Sequence, residues 1–204
     1  MRRAVYLDRD GVIVEPVPDP RLGTWESPYR PQDVTLVAGV TAAIRRLRAA
    51  GFLVVGASNQ PAAAKGTVTT QVLRDVHTRA RTLLEDCDAS LDDWRYCLHH
   101  PDGVTAGLSR RCTCRKPNPG LLQMAAHDLG IDLAQSWMVG DSDSDISAGA
   151  AAGARTVLVE HPRTAHRRRC SGPAPTRRAP DLDRAAALIC EYSAERPPAA
   201  QRSR

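Results

Sequence analysis

The stretch Ala4-Val5-Tyr6-Leu7-Asp8-Arg9-Asp10-Gly11 decides the fold. Its opening apolar run has no polar alternation and is too short for a helix, so it reads as a strand buried on both faces. It then breaks directly into two carboxylates and a glycine. The pattern recurs downstream. Phe52-Leu53-Val54-Val55-Gly56-Ala57 ends in Ser58-Asn59, and Trp137-Met138-Val139 ends in Gly140-Asp141. Helical spacings fill the intervals. Val40, Ile44 and Leu47 are closed by Gly51, and a helix carrying Val72, Leu73, Val76, Ala80, Leu83 and Leu84 can be capped by Thr69 or Thr70. Pro119 begins a helix with Leu121, Leu122, Ala125 and Leu129, which Gly130 stops. Strands near 94–98 and 155–159 and a small-residue helix at 146–152 complete the alternation. The expectation is an α/β fold, a Rossmann-like parallel sheet with helices on both faces.

A length of 204 residues fits one decorated domain, and 42% hydrophobic residues suffice for a core. Charge is uneven. Residues 1–160 hold 18 basic and 19 acidic side chains, whereas residues 161–204 hold 10 basic and 4 acidic. The basic excess therefore lies outside the strand-and-helix body, and no nucleic-acid partner is expected. No apolar run approaches a membrane span, and the N-terminal run is too short for a signal-peptide core. These features predict a cytoplasmic protein whose six cysteines are reduced. The expected organisation is a core at 1–160, a solvated Arg/Pro-rich loop at 161–180, a closing helix at 181–192 and a frayed end at 193–204. Residues 14–38, with five of the fifteen prolines, read as a loop or flap.

Polar residues gather at the C-terminal ends of the apolar strands, where ligand sites of open parallel sheets lie. Asp8 and Asp10 would repel unless a cation or a proton intervened; Mg²⁺ suits such carboxylates, although an Asx turn would also use them. Ser58 and Asn59 can hydrogen-bond a phosphate or merely cap a turn. Lys116 can neutralise a phosphoryl group or stand at the surface. Asp141 and Asp145 offer two carboxylates one helical turn apart, or an acidic helix start that favours the dipole.

The ordered set Asp-x-Asp-Gly, Ser-Asn, Lys, Gly-Asp-x-x-x-Asp, running from Asp8 to Asp145, resembles the haloacid-dehalogenase phosphatase superfamily. The resemblance implies that Asp8 is the nucleophile that forms an aspartyl-phosphate and that Asp10 is the general acid and base. It implies Mg²⁺ held by Asp8, Asp141 and the Asp10 carbonyl. Ser58, Asn59 and Lys116 would bind the phosphate oxygens, and Asp145 would support the metal site or orient Lys116.

Between the second and third strand ends, Cys97-Leu98-His99 is followed by Cys112-Thr113-Cys114. Three thiols and an imidazole in one loop suit a closed tetrahedral Zn²⁺ site made by Cys97, His99, Cys112 and Cys114, with His100 a rival ligand. Cys87, Cys170 and Cys190 read as ordinary thiols. The run Cys-x-His…Cys-x-Cys-Arg-Lys-Pro resembles the bacterial heptose bisphosphate phosphatases and the related histidinol-phosphate phosphatases. That group lacks a large cap domain, and no segment here could hold one. The resemblance implies hydrolysis of the 7-phosphate of D-glycero-D-manno-heptose 1,7-bisphosphate or of another small phosphate ester such as histidinol phosphate. It also implies that Arg115 contacts a second phosphate or a sugar oxygen. A small phosphorylated sugar is the expected partner, and a monomer the expected state. Glu15, Trp25 and Tyr29 of the flap are available to the substrate or to loop packing. Two departures touch substrate-holding positions: Pro61-Ala62-Ala63-Ala64-Lys65-Gly66 replaces the usual Ser-Gly-Ile-Ala-Arg-Gly, and Ser142 stands where a basic residue commonly follows Gly-Asp.

Overall fold

The structure, a computed structural model, describes residues 1–20, 23–169 and 172–195. Among these residues, eight strands and five α-helices run in the order β1 (Ala4–Leu7), β2 (Val17–Asp19), β3 (Thr24–Glu26), α1 (Val40–Ala49), β4 (Leu53–Asn59), α2 (Thr70–Glu85), β5 (Asp93–Cys97), α3 (Gly120–Leu129), β6 (Trp137–Gly140), α4 (Asp143–Ala151), β7 (Arg155–Val159), β8 (Arg177–Ala179) and α5 (Leu182–Glu195). Six strands form one sheet in the order β5-β4-β1-β6-β7-β8, and every pairing in it is parallel.

The unbroken apolar runs lie where a doubly covered sheet needs them. All four residues of β1 and β6 are buried, as are the first six of β4. One cluster packs Val5, Leu7, Val54 and Val139 against α1 and α5 through Ile44, Leu47, Leu182 and Ile189. The opposite face packs Tyr6, Val55 and Met138 against Leu121, Leu122 and Ala125 of α3. Alternate residues of each strand thus feed opposite cores. Thr69 caps α2 by accepting from the Val72 amide, and Gly130 ends α3 in the left-handed region.

Three expectations are corrected. The small-residue helix begins at Asp143 rather than 146, because Ser142 and Asp145 form a capping box. The flap contains an antiparallel hairpin of β2 and β3. The Arg-rich segment is not a solvated loop: residues Pro162–Arg167 form a 3-10 helix with Thr164 fully buried, and β8 joins the sheet edge beside β7. Cys170 lies outside the described residues. No helix among the described residues is long and apolar enough to cross a membrane.

Candidate active site

The three central strands β4, β1 and β6 end side by side, and each delivers polar residues to one cleft of about 290 Å³. β1 hands on to Asp8, which keeps the strand register by donating its amide to the Val139 carbonyl at 3.0 Å. The next turn is tight. Gly11 adopts φ 91°, and a Cβ there would stand 2.3 Å from Asp141 Oδ2, so the turn seats closely on that carboxylate only as glycine. Gly140 is under the same constraint, because a Cβ would meet the Asp145 side chain at 2.2 Å.

Lys116 is the electrostatic centre. It is 2% exposed, and its Nζ lies 3.0 Å from Asp8 Oδ1 and 2.5 Å from Asp145 Oδ1 while donating to the Ala57 carbonyl at 2.7 Å. Burial works against its charge, but Asp145 and Asp8 outweigh burial and hold the ammonium above its ordinary value. Asn59 latches this lysine. Its Nδ2 donates to the Lys116 carbonyl at 2.9 Å, and its Oδ1 accepts from the Lys116 amide at 3.1 Å. The amide expected to face phosphate is thus engaged with the backbone of the residue that carries the charge. Ser58, also buried, accepts from Gln60 Nε2 at 3.1 Å. Asp145 Oδ2 accepts from the Ser142 amide and hydroxyl, so Ser142 is occupied in the helix cap.

Asp8, Asp141 and Asp145 are all buried, and one ligand atom from each lies within 4.8 Å of the others. Burial raises Asp8 despite Lys116, and burial raises Asp141 to about 7 despite Arg167. Asp141 Oδ2 pairs with Arg167 at 3.3 Å, whereas Asp141 Oδ1 is buried with no hydrogen-bond partner. Such an orphaned oxygen among three carboxylates fits a hard cation. Asp10 differs from its neighbours. Burial pushes its carboxyl up, but the Arg9 guanidinium outweighs burial and holds it below the ordinary range.

The four side chains of the cysteine loop converge. Sulfur separations are 3.6 Å for Cys97–Cys112, 3.4 Å for Cys97–Cys114 and 3.3 Å for Cys112–Cys114. His99 Nδ1 lies 3.7 Å from Cys97 Sγ and 3.6 Å from Cys114 Sγ. Bonds of about 2.3 Å to tetrahedral zinc place sulfurs roughly 3.8 Å apart, so the four atoms have nearly the spacing such an ion needs. His100 points elsewhere: its Nδ1 accepts from the Asp102 amide at 3.1 Å. The loop rests on the alanine turn after β4, where Val104 donates to the Ala64 carbonyl and Thr105 to that of Ala63. Arg115 leaves this loop to line the cleft and donates to the His99 carbonyl at 3.4 Å.

Sequence reasoning did not single out Arg9, Gln60, Ser27 or Arg167. Ser27 Oγ donates to Asp10 Oδ2 at 2.8 Å, and Arg167 donates to the Asp10 carbonyl at 3.1 Å and to the Trp25 carbonyl at 3.4 Å. The flap residues Glu15 and Trp25 are engaged with the Arg-rich segment. Glu15 pairs with Arg163 at 2.9 Å and lies 3.3 Å from His161, and the Arg163 guanidinium stands 4.4 Å over the Trp25 ring. Tyr29 packs against the small cluster of Ala62, Ala63 and Leu73.

The HAD-hydrolase-like family model matches residues 113–185. A D-glycero-beta-D-manno-heptose-1,7-bisphosphate 7-phosphatase of Rhodopseudomonas palustris is 37% identical over 152 residues, 74% of this chain and 80% of that protein. The Escherichia coli K12 protein of the same name is 36% identical over 76% of this chain and 78% of its own length. Among solved structures, a D,D-heptose 1,7-bisphosphate phosphatase of B. bronchiseptica, complexed with magnesium and phosphate, superposes with a TM-score of 0.75 at 31% identity, covering 94% of this chain and 99% of that one.

Proposed function

Because this chain belongs to the haloacid-dehalogenase-like hydrolases, we propose that it is a Mg²⁺-dependent phosphatase that removes the 7-phosphate of D-glycero-D-manno-heptose 1,7-bisphosphate. The observation that carries the chemistry is one buried cluster: Asp8 at the end of β1, Lys116 at 3.0 Å, and Asp141 beside them with an unpartnered oxygen. The names of the relatives supply the substrate.

Asp8 Oδ1 is engaged by the Arg9 amide at 2.7 Å and by Lys116, so Oδ2 attacks phosphorus. An O–P bond to Asp8 forms as the P–O bond to the sugar breaks, and Asp10, ionised in the free site and protonated from solvent once the phosphate dianion lies beside it, delivers that proton to the departing alkoxide. Asp10 then takes a proton from water, whose oxygen attacks phosphorus and returns Asp8 with inorganic phosphate. Lys116 and Ser58 hold the non-bridging oxygens, Asn59 fixes Lys116, and Asp145 orients the ammonium. The carboxylates of Asp8 and Asp141 and the Asp10 carbonyl would hold Mg²⁺. When bound, the ion neutralises charge on the phosphoryl oxygens. Arg115 reads the second phosphate from the zinc-loop wall. Cys97, His99, Cys112 and Cys114 would hold a structural Zn²⁺, which would contribute folding energy to that wall. The protein acts in the cytoplasm, where its thiolates stay reduced, and works as a monomer without nucleic acid.

The test is phosphate release across heptose 1,7-bisphosphate, histidinol phosphate and other sugar phosphates. The heptose bisphosphate should give the highest kcat/KM, and Asp8→Asn should lower it on the order of a thousandfold or more. Histidinol phosphate ahead by about tenfold would replace the heptose assignment, a difference of about 1.4 kcal/mol in transition-state binding. An Asp8→Asn enzyme as active as the wild type would remove Asp8 from the chemistry.

A further inference from the structure

Arg9 lies between the two catalytic carboxylates in sequence, and only 1% of its side chain is exposed. A guanidinium so buried is expensive, and replacing such a pair by apolar side chains is often neutral for stability. Its contacts therefore have to be explained by something other than stability. Nε donates to Asp10 Oδ1 at 2.9 Å and Nη2 to Asp10 Oδ2 at 3.1 Å, a fork that fixes the plane of the carboxylate. Nη2 also donates to Gln60 Oε1 at 2.9 Å.

Gln60 is 3% exposed and closes the triangle. Arginine only donates, so it holds the Gln60 amide with its oxygen inward and its NH₂ toward Asp10. Nε2 then donates to Asp10 Oδ2 at 2.7 Å. The Gln60 backbone N–H donates to the Cys97 carbonyl at 2.7 Å, which ties the clamp to the end of β5. Asp10 is thus gripped from the β1 turn and from the end of β4 together, while Ser27 of the flap touches it from the cleft side.

A general acid acts only within hydrogen-bond reach and along a definite direction, so holding the carboxyl plane is a catalytic requirement. We propose that Arg9 and Gln60 are positioning residues that aim the Asp10 carboxyl at the leaving-group oxygen. This rests on the phosphatase reading above. It does not depend on which alkyl phosphate is the substrate.

Two leaving groups separate aim from general integrity. A sugar alkoxide needs a proton to depart, whereas p-nitrophenolate leaves as its anion. We therefore compare kcat/KM for heptose 1,7-bisphosphate, or the best alkyl phosphate of the panel, with that for p-nitrophenyl phosphate. In Gln60→Met and Arg9→Met the alkyl phosphate should lose at least about tenfold more than the aryl phosphate, part of the 10²–10⁴-fold that a general acid supplies. Asp10→Asn should give the largest such ratio, and Arg9→Lys, which keeps a charged donor without the fork, should fall between wild type and Arg9→Met. Equal losses on both substrates in Gln60→Met would reduce the clamp to a structural role and overturn the proposal, as would a ratio unchanged from wild type. Should Arg9→Met fail to fold, Gln60→Met, of similar length and without charge, decides. A wild type inactive on every phosphate ester would fail earlier, at the phosphatase reading, and take this proposal with it.

Discussion

Lys116 is the residue on which most of the site's charge converges. Replacing it by Met would leave Asp8 and Asp145 buried without their common partner. Breaking a buried pair in this way costs about 3–5 kcal/mol, so Lys116→Met should lower the urea midpoint sharply as well as abolish turnover. His77 makes a different prediction. It packs edge-on to Trp94, with ring centroids 5.1 Å apart, and bonds the Tyr96 hydroxyl. Burial, then Arg9 and Arg81, lower its pKa from 6.5 to about 4. The unfolded chain therefore binds more protons between those values. The stability contributed by neutral His77 is present above about pH 6.5 and is lost as pH falls toward 4. Thermal melts of wild type and His77→Gln across this window should converge as the pH is lowered. At this scale the sequence was informative where residue type and order form a motif, as for Asp8, Lys116 and Asp141, which the fold brings into one buried cluster. It was uninformative where burial made the role. An arginine flanked by two aspartates at a strand end looks like a solvated turn, and only the closure of β4 and β5 over it makes Arg9 part of the site. Arg167 was hidden among six arginines that looked alike.

The elements show the same division. Strands β1, β4 and β6 were readable because burial on both faces leaves continuous apolar runs. Strand β8 was not, since an edge strand is short and charged: two of its three residues are exposed arginines. The early start of α4 was written in the Ser142-x-x-Asp145 box, which the acidic run obscured as a set of possible metal ligands. The cysteine loop is anchored at its ends, Cys97, Cys112 and Cys114, in the core under α3, and by Leu98 and Leu108 on the small cluster of Ala62, Ala63 and Leu73. Between Cys97 and Cys112 its internal ties are short-range turns, among them the Thr105–Leu108 turn and the His100–Ser109 bridge. Elemental analysis should find about one zinc per chain, and Cys112→Ser should lose it and lower Tm, because binding energy in such a site is folding energy. Full activity and an unchanged Tm in zinc-free protein would show that the loop stands without metal.

For the whole molecule, the distribution of charge suggested a body at 1–160 with a solvated basic loop, a closing helix and a frayed end beyond it. The packing contradicts that division. Helix α5 buries Leu182, Ala185, Ala186 and Ile189 in the same cluster as Ile44 and Leu47 of α1, and the Arg-rich segment reaches Asp141. Burying a single Leu or Ile contributes about 1.5–3 kcal/mol, against about 5–15 kcal/mol of total stability for a domain. A chain ending at residue 160 should therefore be insoluble or molten by near-UV circular dichroism, and Ile189→Ala should cost about 2–5 kcal/mol in chemical denaturation. The pairing of Glu15 and Trp25 with Arg163 has a consequence of another kind. Flap and Arg-rich segment, which line the cleft through Ser27 and Arg167, are fastened to each other, so that side of the cleft is one body instead of two. Its fastening is half-exposed charge, which ions at physiological strength screen beyond about 8 Å and weaken at shorter range. The composition of the surrounding solution thus bears on how tightly these two segments hold together, through a contact that includes none of the carboxylates of the cluster.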